Sequence, residues 1–144
     1  MEPETIFTIL NLLPLPVWLL WIAAPRSRPA RALAHSLWPF VGLGAIYAAL
    51  LAYALAAGGP AEGSSFTSLA GVMALFASPW GVLAGWAHYL CLDLFVARWI
   101  LRDAPEAGYR LSPILTLTLM AGPAGLLLYL ALRRWLRPAG EPAC

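Results

Sequence analysis

The sequence predicts an all-α integral membrane protein: four transmembrane helices, with a short re-entrant or interfacial helix before the third. Two observations carry that prediction. Of the 144 residues, 61% are hydrophobic and only 11% are charged, with a mean hydropathy of +0.75, whereas a soluble domain carries about a quarter charged residues. Four stretches also reach the roughly 20 mostly apolar residues that a span needs. The length suits a single transmembrane domain over residues 1–144.

The first stretch is Thr5–Ala24, TIFTILNLLPLPVWLLWIAA. Pro14 and Pro16 fall inside it, and an internal proline removes a backbone hydrogen bond and kinks a helix. The second is Ser36–Ala57. Next, Ser64–Ser78 is apolar but too short to cross, and stretches of this length lie in the interface or re-enter. Pro79 ends it, because the residue before a proline avoids the helical region. The third span is Trp80–Leu101 and the fourth Ser112–Leu132, kinked at Pro123 between Gly122 and Gly125. A fifth span over 64–78 is the alternative topology. Two helices broken at similar depth predict either a midplane cavity or kinked helices that simply pack. Each helix is apolar nearly all round, so periodicity does not name the buried face.

All nine basic residues are arginine. With so much alanine, that composition points to a GC-rich coding sequence and a bacterial inner membrane. A net charge of +2 argues against nucleic-acid binding. Arg26, Arg28 and Arg31 lie in the first loop, and Arg102 and Arg110 follow the third span. Four spans put these on one side and Arg133, Arg134 and Arg137 on the other. The positive-inside rule then predicts cytoplasmic loops and both termini outside. Glu2 and Glu4 stand where a signal peptide would be positive, so the first helix is kept. Cys91 and Cys144 make no disulfide framework.

The chemistry lies in GWAHYLCLDLFVARWI, Gly85–Ile100. His88 and Asp93 both fall within roughly 5 Å of the middle of the third span. An ionised aspartate there costs about 2.5–3.5 kcal/mol, and such residues face a cavity, pair, or mark a functional path. The bland alternative is a tertiary hydrogen bond. Five residues are a rotation of about 140°, so the two do not share a face. His88 lies in line with Gly81 and Gly85, a small-xxx-small motif that predicts a close neighbour helix and is compatible with homo-oligomers. Asp93 lies in line with Trp86 and Tyr89. Asn11, whose amide can satisfy either protonation state, is the expected partner of His88 or Asp93. Arg98 is expected to snorkel as an anchor, with a second role in holding a polar substrate end. His35 is expected at the interface.

No nucleophile elbow, CxxC, HExxH or phosphate loop occurs. No cofactor is expected, and the donors are thin for a metal site; a haem or metal held through His88 stays open. Acid–base chemistry on a lipophilic substrate from the bilayer remains, or binding alone.

NLLPLPVWLLW, SPWGVLAGWAHYLCLDLFVARWI and GPAGLLLYL together resemble the neoxanthin-synthase-like family of small membrane proteins, the plant abscisic-acid-deficient type, which has bacterial members. The resemblance runs from about Asn11 to Leu132. It implies a carotenoid isomerase that opens an epoxide to an allene, as in neoxanthin formation, with one acid and one base. Asp93 and His88 would take those roles, in either order. Asn11, Trp80, Trp86, Tyr89 and Arg98 would contact substrate, and Pro79, Gly81, Gly85 and Pro123 would shape the site. The alternatives are a non-catalytic carotenoid-binding or scaffold protein and, third, a proton-coupled transporter subunit using Asp93.

Overall fold

The computed structural model describes residues 2–56 and 62–137, and among them all regular structure is helical. The described chain gathers into two compact units: Met1–Leu13 with Phe40–Cys91, and Pro14–Pro39 with Leu92–Cys144. Three helical stretches are long and apolar enough to cross a membrane, Pro3–Ala23, Trp38–Ala56 and Pro79–Asp103. They correspond to the first three expected spans; Ala57, the last residue of the expected second span, lies outside the described residues.

The first stretch is broken where its prolines predict. Helix α1 (Pro3–Leu12) stops and α2 (Leu15–Ala23) begins. Pro14 and Pro16 each lack the N–H that would continue the ladder, and Pro16 sits instead in the opening turn of α2, where no partner is needed. Helix α3 (Arg28–His35) is capped by Ser27, whose Oγ accepts from the Ala30 amide at 3.2 Å. Helix α4 (Trp38–Ala56) is the second crossing stretch. Within the expected short segment, α5 covers Leu69–Leu75, capped by Ser68. Helix α6 (Pro79–Asp103) starts with a proline and a Ser78 cap on the Gly81 amide at 3.1 Å. Its 25 residues span about 37 Å, more than the hydrocarbon thickness.

In the first unit, α4 and the first half of α6 run antiparallel. Tyr47 meets His88 and, six residues on, Tyr53 meets Trp80. Leu10, Leu50, Leu83, Ala84, Ala87 and Leu90 form the buried core, with α1 contributing Ile6 and Phe7 beside it.

In the second unit, two short 3-10 turns over Pro105–Leu111 pivot on Gly108. Its φ of 55° is left-handed, and a side chain there would overlap the Arg26 guanidinium. Arg26 Nη2 donates to the Glu106 carbonyl at 2.9 Å, and Ser112 Oγ donates to the Ile22 carbonyl at 2.7 Å. The loop after α2 and the loop after α6 therefore lie at the same end, as the arginine count predicts.

The fourth expected span is broken into two helices. Helix α7 covers Ser112–Met120 and α8 covers Gly122–Leu136, separated at Ala121 by an extended residue (φ −155°, ψ 77°). Across a straight helix Thr118 and Gly125 would stand about 10 Å apart along the axis. Here they are so close that a methyl on Gly125 would overlap the Thr118 backbone. Helix α7 leaves the loop end, turns at Ala121–Gly122 beside Asp93, and α8 returns along the second half of α6. Tyr129 meets Trp99 edge-on at 5.4 Å, and Arg133 reaches Asp103 at 2.6 Å. Both ends of this hairpin lie at the end where α6 finishes. Arg133, which the four-span reading puts across the membrane from the loops, therefore lies at the same end of the second unit as Asp103. Pro123 cannot donate, Gly122 and Gly125 allow close approach, and three terminal arginines cannot be carried through hydrocarbon cheaply.

Candidate functional site

Asp93 is buried, with 8% of its surface exposed. Its carboxylate occupies the space that a side chain on Gly122 would fill, at the first turn of α8. The exposed amides and dipole of a helix N-terminus favour an anion there. The aspartate is thus set against the tip of the hairpin, where the broken backbone has polar groups to satisfy. Thr118, fully buried beside the same turn, donates from Oγ1 to the Ile114 carbonyl at 2.8 Å and so satisfies its own hydroxyl.

Arg98 is equally buried, at 8% exposed, with its guanidinium 5.7 Å from the Phe95 ring centroid. It is not the snorkelling anchor expected. Arg98 lies inside the second unit.

His88 belongs to the first unit and is exposed, with its ring 5.5 Å from that of Tyr47. The motif with which it is aligned works differently from the expectation of a close neighbour helix. A side chain at Gly81 would overlap the Leu75 carbonyl, and one at Gly85 would run into the Phe76 ring. The two glycines accept the chain leaving α5, not a separate helix, and are already covered from within. Pro79 sits just before them as the opening residue of α6.

Asn11 is committed elsewhere than expected. Its Nδ2 donates to the Phe7 carbonyl at 2.8 Å, and its Oδ1 accepts from Trp86 Nε1 at 3.2 Å. Phe7, Trp86 and Tyr89 form a continuous aromatic series, with centroids 5.5 and 5.3 Å apart. Trp80 meets Tyr53 edge-on at 4.4 Å. The half-buried indoles of Trp80 and Trp86 pack with Tyr47 and Tyr89 against the first unit's core. Among the described residues, no group of three or more His, Cys, Asp or Glu gathers to hold a metal.

One cluster escapes the sequence reading. Asp103, 5% exposed, accepts from the Tyr129 hydroxyl and from Arg133 Nε and Nη2 at 2.6 and 2.7 Å. Arg137 Nε stands 3.9 Å away. The fork of Arg133 meets both carboxylate oxygens, the strongest geometry for such a pair, and its guanidinium also lies 5.8 Å from the Trp99 ring centroid. The signal was present: a lone acid ending a span, and arginines ending another.

A family model described as ABA DEFICIENT 4-like matches residues 5–129. No curated protein and no solved structure matches the chain.

Proposed function

The chain belongs to the ABA4-like family, and on that premise we propose a membrane-embedded isomerase that acts by acid–base chemistry on a carotenoid or related isoprenoid lipid. The observation that carries the proposal is His88. An imidazole exposed on a helix long and apolar enough to cross a membrane, beside the Tyr47 ring and flanked in sequence by half-buried aromatics, would present a proton-exchanging group to lipid. Polyenes are flat and apolar, and rings of Tyr47, Trp80, Trp86 and Tyr89 suit them. In the family-type reaction an epoxide oxygen takes a proton, the C–O bond breaks, and a neighbouring carbon gives up a proton to leave an allene. The proton count is unchanged, so one acid and one base suffice and no redox cofactor is required. His88 is the group poised for one of these transfers, and Asp93 is assigned the other; Arg98 and Asn11 are assigned the polar substrate end.

The test is conversion of a supplied epoxycarotenoid by membranes holding the protein, read by chromatography. His88→Ala and Asp93→Asn should each lower the rate by about 10²-fold or more while eluting as folded protein. Full activity in both variants would refute the catalytic assignment. A second reading, a carotenoid-binding protein without turnover, is favoured by the seat of Asp93 against Gly122, which serves the hairpin. It predicts a pigment spectrum in the purified protein and no product.

For topology we propose three crossings and one re-entrant hairpin. The arginine-bearing loops and the end of α8 then lie in the cytoplasm of a bacterial inner membrane, with the N-terminus opposite.

A further inference from the structure

We infer that the second unit holds a binding site for a phosphate-bearing anion at the membrane surface, separate from the chemistry assigned to His88 and Asp93. The site is a cavity of about 170 Å³ between α3, the end of α6 and the turns that follow it. Single waters need only about 10–15 Å³ on this measure, so a headgroup-sized ligand fits.

Its construction follows from α3. Ala30 and Ala34, one turn apart, form the buried stripe of that helix and line the cavity floor with Pro25, Leu101 and Leu111. Small side chains on that stripe leave the space open. Arg31 and His35, also one turn apart, lie on the adjoining stripe and line the same cavity. Arg102 enters from the end of α6. Three groups that carry or can take positive charge thus converge, and no carboxylate lines the cavity. Nearby Asp103 is held by Tyr129 and Arg133, and Arg26 donates to the Glu106 backbone carbonyl, which fixes the wall at Gly108. Among the described residues, neither Arg31 nor Arg102 is ion-paired. Two guanidinium forks around one anion are the arrangement that phosphate oxygens satisfy bidentately. An anionic lipid headgroup and a free phosphate share this chemistry.

The test uses the full chain in a neutral detergent. Short-chain phosphatidylglycerol, short-chain phosphatidylcholine and inorganic phosphate are titrated separately, with binding read by native mass spectrometry. Phosphatidylglycerol should bind, and Arg31→Ala/Arg102→Ala should weaken it at least about tenfold, since each charged hydrogen bond is worth that much. Arg28→Ala/Arg110→Ala removes the same charge outside the cavity and should change affinity less than about twofold. Arg31→Lys/Arg102→Lys keeps charge but loses the forks, and should fall between. If inorganic phosphate binds with the same variant pattern, the source is a soluble phosphate; if only the lipid does, it is a headgroup. Equal losses in both alanine pairs would mean diffuse surface charge and overturn the site, as would no binding of either phosphate probe.

Discussion

Gly122→Ala is the sharpest test of how the hairpin is held. Helix propensity alone favours alanine over glycine by about 0.8–1.0 kcal/mol. The structure predicts the opposite sign, because the new methyl must enter space filled by the Asp93 carboxylate. Overpacking of this kind costs about 1–3 kcal/mol, and displacing the carboxylate from the start of α8 adds up to about 2 kcal/mol. The net is a loss of roughly 1–3 kcal/mol, or about 3–10 °C in Tm for a chain of this size. The assay is thermal unfolding in detergent, followed by fluorescence-detected size exclusion, on a four-member cycle with Asp93→Ala. In the Asp93→Ala background the methyl meets no carboxylate, so Gly122→Ala should be neutral or stabilising. The two sites should couple by at least about 1 kcal/mol. Effects that add within about 0.5 kcal/mol would refute the placement of Asp93 at the hairpin tip.

Tyr129→Phe strips one donor from buried Asp103 and should cost about 1–2 kcal/mol, measured by the same unfolding assay. Arg133→Ala should destabilise clearly more than Arg134→Ala, because Arg133 engages Asp103 while Arg134 lies over Trp135 with 4.0 Å between guanidinium carbon and ring centroid. Trp86→Phe removes the donor to Asn11 and should cost about 0.5–1.5 kcal/mol, whereas Leu92→Phe on an exposed position should be silent. In a background with Cys91 and Cys144 replaced by alanine, Arg110→Cys and Arg134→Cys should react with a membrane-impermeant maleimide from the same side; reaction from opposite sides would restore a fourth full crossing.

What the sequence made legible follows from what hydropathy and proline report. Apolar length found the three long helices, and Pro14 and Pro123 marked the two breaks, because each rule is local to the chain. Length could not tell that Ser112–Leu132 turns back, since a window averages over Ala121 and sees only apolar residues. The contrary signal was electrostatic: Arg133, Arg134 and Arg137 fitted the positive-inside pattern only if they joined the loops. Rotation about α6 could not tell which side meets a neighbour, because a helix apolar all round carries no such mark. Asn11 was read as a polar group in search of a titratable partner, when an indole N–H sufficed. Membership of the ABA4-like family was readable from the motif through α6; the roles of His88 and Asp93 rest on chemistry still to be measured.

Because α7 and α8 begin and end at one face, charge is distributed monopolarly. Arg26, Arg28, Arg31, Arg102, Arg110, Arg133, Arg134 and Arg137 all gather at the end of α6, leaving only Arg98 within. An upside-down molecule would have to drag every one of those guanidinium groups through oil, at about 2.5–3.5 kcal/mol apiece. Small bundles with balanced ends can populate both orientations; the proposed topology would hold this one to a single way up.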